Sequence, residues 1–106
     1  MEYKHIAWCK EGSHDKVWGV ILLQKSISSY NDPFPQPGNK YVTFWGRRGK
    51  KLQTKLWEGR DWDAIQMFEK KQSKGYNSVD FDELNKVYPE FQKDLEKTAF
   101  WATLRS

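Results

Sequence analysis

The stretch Lys16-Val17-Trp18-Gly19-Val20-Ile21-Leu22-Leu23-Gln24 constrains the fold more than any other. Val, Ile and Trp favour strands. Near-continuous apolarity predicts a central strand, covered on both faces for part of its length. A first strand is expected over 3–10, joined to it by the turn Glu11-Gly12-Ser13-His14-Asp15. After it, residues 26–39 read as a loop, because three prolines, a glycine and several Ser and Asn forbid a regular element.

A third strand is expected over 41–47 and a fourth over 51–57, with Arg48-Gly49-Lys50 as a tight connection and Gly49 at positive φ. Period-two alternation places Val42, Phe44 and Gly46 on one face, with Leu52, Thr54 and Leu56. Tyr41, Thr43, Trp45 and Arg47 point the other way, with Lys51, Gln53, Lys55 and Trp57. The Val/Phe/Leu face is expected to pack under a helix, and the Trp/Arg/Lys/Gln face to point outward. That helix opens at Asp61 as N-cap, with Asp63 in its first turn. It turns Ala64, Ile65 and Phe68 to one face and stops at Gly75. Asp80 and Glu83 form a capping-box-like pair for a second helix, and Pro89 breaks it near Tyr88. Phe91, Leu95, Ala99 and Ala102 then fall at helical spacing. The expected fold is α+β: a small antiparallel sheet of about four strands, one packed helix and a C-terminal helical extension over 78–106.

With 106 residues the chain fits a single domain, 1–106. A domain of that size buries roughly 60–70% of its unfolded surface, enough to fold without staples. One cysteine, Cys9, cannot close an intramolecular disulfide, which fits a reducing compartment. Cys9, His5 and His14 are too few and too badly placed for a zinc site. No apolar run approaches the ~20 residues of a membrane span, and no signal peptide is evident. A cytoplasmic protein without a membrane partner is expected. No nucleophile pair, metal cluster or phosphate loop is evident, so neither catalysis nor a cofactor is expected.

Charge is unevenly spread. Residues 40–76 hold ten basic and four acidic groups, and residues 41–57 hold five basic groups and no acid. Such a surface favours a polyanion. On the face carrying Trp45, Arg47 can fork two donors onto one phosphate. Lys51 and Lys55 add charges about 13 Å apart on an extended strand. Trp45 offers a ring for a base or sugar, and Gly46 lets a ligand approach the backbone. Arg48, Gln53 and Tyr76 extend the candidate set. Lys70, Lys71 and Lys74 could continue a phosphate track or serve as ordinary helix-end charges. The expected partner is nucleic acid. The alternative is a separate protein docking on the same face, since Trp and Arg are common interface anchors.

Trp45-Gly46-Arg47, followed by Gly49 and Gln53, resembles the signature of the WGR domain family. The likeness runs over 15–77. Asp15-Lys16-Val17-Trp18 resembles the family's early Asn-Lys-aromatic strand. Ala64 and Phe68 resemble its Ala-x-x-x-Phe helix, and Lys71 with Lys74-Gly75-Tyr76 its closing Lys-x-x-x-Gly-Tyr. Arg48 stands where a small apolar residue is usual, and Leu52 where Gly is common. Residues 78–106 lie outside the pattern. The family is best known from DNA-dependent poly(ADP-ribose) polymerases, where it binds DNA near strand breaks, and it also occurs in bacterial proteins. The resemblance implies a small sheet with a helix against it, Trp45 on a terminal sugar or base, and Arg47 on a phosphate, and it favours DNA, as duplex near ends or nicks, over other nucleic acid.

Overall fold

The computed structural model describes residues 2–25, 38–98 and Trp101, with His14 described by its backbone alone. Of the loop expected over 26–39, residues 26–37 lie outside the described residues, as do Ala99 and Ala102. Five strands form one antiparallel sheet: β1 (Glu2–Glu11), β2 (His14–Gln24), β3 (Asn39–Arg47), β4 (Gln53–Gly59) and β5 (Asn77–Ser78). Among the described residues, the helices α1 (Asp61–Ser73), α2 (Phe81–Val87) and α3 (Phe91–Glu96) accompany them. The strand order is β4-β3-β2-β1-β5. The apolar β2 is therefore central, with Val17, Val20 and Ile21 fully buried, as its composition predicts. β5 was not legible in the sequence. It is two polar residues paired to Ala7 and Trp8, with no alternation to mark it.

The β3–β4 register places Tyr41 opposite Trp57, Thr43 opposite Lys55 and Trp45 opposite Gln53. Their faces match as alternation predicts. The strand boundary differs. β4 starts at Gln53, so Lys51 lies in the connection and not on a strand face two pitches from Lys55. Gly49 takes the expected positive φ, +81°.

The layers differ from expectation. Val42, Phe44 and Leu52 pack against Leu84, Tyr88, Phe91, Leu95 and Trp101, on the side of α2 and α3. α1 lies on the opposite face, where Ala64 and Phe68 pack with Ala7, Trp18, Val20, Leu22 and Tyr41. The face expected to point outward is thus partly roofed by α1. The physical reason is apolar supply. The C-terminal segment carries the larger rings and aliphatics, whereas α1 buries only Ala64 and Phe68. Ile65, expected on the buried face of α1, is 42% exposed, because it lies about 100° round the helix from Ala64, off the Ala64–Phe68 line that meets the sheet.

Helix ends follow local chemistry with one exception. α1 has Arg60 as N-cap, not Asp61. The Arg60 backbone N–H donates to Asp63 Oδ2 at 2.8 Å, while Asp61 accepts from the Tyr41 hydroxyl instead. α1 closes at Lys74, followed by Gly75 at φ +101°. Asp80 caps α2, its carboxylate accepting from the Glu83 N–H at 2.7 Å. Pro89 separates α2 from α3 as expected.

A candidate nucleic-acid interface between the sheet and the first helix

α1 leaves β4 through Arg60 and crosses back over the sheet. Its buried Phe68 meets His5 edge-on at 4.8 Å and Trp18 at 6.2 Å between ring centroids. Those contacts seat the helix over the β1–β2 side. Toward β3 and β4 the aromatic face is left partly open, and a cleft of about 320 Å³ remains. Its floor is Trp18, Thr43, Trp45 and Trp57, with Lys55 at the side. Its wall is Met67, Lys70, Lys71 and Lys74 of α1. These four wall residues recur at i, i+3, i+4 and i+7, one stripe of a helix.

The floor is preorganised. The Trp57 indole N–H donates to Thr43 Oγ1 at 2.8 Å. The same ring stacks on Tyr41, centroids 4.6 Å apart and planes 20° from parallel. A Cβ at residue 59 would lie 2.6 Å from the Trp57 ring, so glycine there admits the indole. Tyr41 is fully buried, and its hydroxyl also accepts from Asn39 Nδ2 at 3.1 Å. Burial pushes the Tyr41 phenol up, and the neighbouring Asp61 carboxylate adds to the rise.

The rim is cationic. No lining residue is acidic. Among the described residues, ion pairs such as Lys4–Glu2, Arg48–Asp15 and Lys97–Asp94 involve no cleft lysine. Lys71 is half-buried, its Nζ 5.6 Å from the centre of the Tyr76 ring. Burial lowers the Lys71 amine below the ordinary lysine value, and the charges of Lys74 and Lys16 lower it further.

The candidate residues do not gather in one place. Trp45, Lys55 and Lys74 line the cleft. Trp45, expected open to solvent, is half-buried there. Tyr76 packs beside it, under Lys71. Gln53 is exposed and faces Trp45 across the ladder. Arg47 is exposed at the end of β3, opposite Lys16, and donates to the Ser13 carbonyl at 3.4 Å. Gly46 faces the other side, covered by Leu52, so its backbone is not an open ligand approach. Arg48 is engaged elsewhere: its Nε lies 2.7 Å from Asp15 Oδ2 and its Nη1 donates to the Val87 carbonyl at 2.6 Å. Lys51 lies with Gly49, Lys50, Asp94 and Lys97 in a separate hollow. Missing from the candidate site were Trp18, Thr43, Trp57 and Met67. The alternation that placed Lys55 also placed Trp57. The i, i+3, i+4, i+7 stripe could have tied Met67 to the three lysines.

Fold and site together define a small α+β protein with an aromatic-floored, lysine-rimmed cleft between sheet and helix. Compared with protein-family models, curated proteins and solved structures, the chain matches none of the three. Among the described residues, no helix is long and apolar enough to cross a membrane, and no three His, Cys, Asp or Glu side chains group as metal ligands.

Proposed function

We propose that this protein is a non-catalytic nucleic-acid-binding module that takes DNA near an end or nick. The observation that carries the reading is the cleft, which sets Trp45 and Trp57 beside Lys55, Lys70, Lys71 and Lys74 with no acid among them. A base stacked on an aromatic side chain gains roughly 1–3 kcal/mol. Lysines around it neutralise phosphates and release counterions. Ends and nicks are the places in a duplex where a base most readily leaves the stack to meet an indole. The resemblance of Trp45-Gly46-Arg47 and its flanking residues to the WGR family supports the same ligand class.

The test is fluorescence anisotropy with a labelled nicked duplex at two or more salt concentrations. Affinity should fall with salt, at a log–log slope of about −0.9 per phosphate contacted. Lys55, Lys70 and Lys74 are exposed, and replacing all three by Gln should weaken binding at least about tenfold near 0.1 M salt. Unchanged affinity in the triple variant would overturn the proposal.

A second reading, a protein partner, is favoured by the outer side of α1. There Trp62 is 66% exposed, with Ile65 one turn on. Retention of the triple lysine variant by a discrete protein, lost on Trp62→Ser, would support it.

A further inference from the structure

We infer that the cleft takes an unpaired base of single-stranded DNA, so that an overhang or gap is bound in preference to a blunt duplex. The inference rests on the nucleic-acid reading and goes beyond it by specifying the state of the base. Three observations carry it. The first is room: about 320 Å³ is at the low end for ligand pockets, which run about 300–1,000 Å³. It holds one base with its sugar and no width of duplex. The second is orientation. A duplex presents phosphates and base edges outward and keeps its base faces stacked inside. The indoles of Trp45 and Trp57 line the cleft between the sheet and Lys70 and Lys74 of α1, so an extruded or unpaired base can reach them where a stacked one cannot. The third is the placing of charge. Lys55 comes from β4 and Lys70 and Lys74 from α1, so cations stand on both sides of the opening, where the phosphates flanking one inserted base would lie.

The lining also predicts how sequence is read. No Asn, Gln, Asp or Glu lines the cleft, and the Thr43 oxygen already accepts from Trp57. Edge contacts are left to the lysines, which can donate to guanine O6 and N7, and preference otherwise follows stacking strength.

The experiment titrates the full chain with one duplex core ending blunt or in a three-nucleotide overhang, read by anisotropy and by tryptophan fluorescence. The overhang should bind about tenfold more tightly and quench the fluorescence. Trp45→Leu, checked for folding by circular dichroism, should remove the overhang advantage and the fluorescence quenching that goes with it. Lys70→Gln should weaken both ligands and keep the advantage. Equal binding of blunt and overhang DNA without quenching overturns the inference and leaves the nucleic-acid reading standing. No binding of either at low salt overturns both.

Discussion

Leu52 lies over Gly46. A Cβ built on Gly46 would stand 3.1 Å from Leu52 Cδ2 and 3.3 Å from Leu52 Cα, and Gly46 has φ +151°. The middle residue of the Trp-Gly-Arg tripeptide is therefore glycine for packing and backbone reasons, on the face away from the cleft. Gly46→Ala should destabilise the fold by about 1–3 kcal/mol, from overpacking and an unfavourable φ. A lowered urea midpoint with an unchanged slope would record it. An unchanged midpoint would mean that Leu52 moves freely aside.

Asp15 joins two parts of the molecule. It accepts from the Trp8 indole at 2.6 Å and from Arg48 Nε at 2.7 Å. Burial alone would raise its carboxyl, but these two donors hold it below the ordinary value of 3.8. A carboxyl depressed in the folded state stabilises above its unfolded pKa, and that contribution is lost as pH falls through the folded value. Asp15→Asn should cost about 1 kcal/mol at neutral pH, allowing for the partial exposure of the pair. It should also flatten the loss of stability below about pH 4, as seen in thermal melts across an acid series.

Lys71 opposes binding to stability. Its folded-state amine lies below the ordinary 10.5, from burial first and from Lys74 and Lys16 second. The unfolded chain then holds more protons in the window under 10.5, so stability rises with pH there. Lys71→Met should raise the melting temperature, by on the order of 0.5 kcal/mol after solvent screening. A phosphate in the cleft would restore the charged amine, so DNA binding should take up a proton in the same alkaline window. Affinity falling with pH in the wild type, and less steeply in Lys71→Met, is the expected titration.

Phe91 is fully buried and touches Phe44 at 5.1 Å, Tyr88 at 5.8 Å and Tyr3 at 6.3 Å between ring centroids. Phe91→Ala should cost about 3–5 kcal/mol, a large share of the roughly 5–15 kcal/mol that holds a domain together. A chain cut before Asp80 should not fold, because Val42, Phe44 and Leu52 would lose their cover. Loss of the cooperative melt in the truncated chain checks this. A folded, monomeric truncation would show the helical segment to be dispensable.

The expected site was half legible for an identifiable reason. Alternation along 41–57 put Trp45, Lys55 and Trp57 on one face, and the ladder keeps them there. Alternation could not show that Arg48 would be drawn away by Asp15, 33 residues earlier. Nor could it show that Lys51 falls before the first paired residue of β4. The α1 lysines were visible as charges at a helix end, but their place opposite Trp45 depends on where Phe68 seats the helix.

Local chemistry in the chain determined the four long strands, their shared faces and the helix ends at Gly75, Asp80 and Pro89. Backbone alternation, glycine φ and proline geometry act within a few residues and can be read in order. Tertiary structure decided which helix covers which face. Two segments compete for the same sheet, and the outcome depends on the total apolar area each can bury. The aromatic-rich α2–α3 segment took the Val/Phe face. α1, which buries only Ala64 and Phe68, covered part of the other, and the cleft is the part it left open.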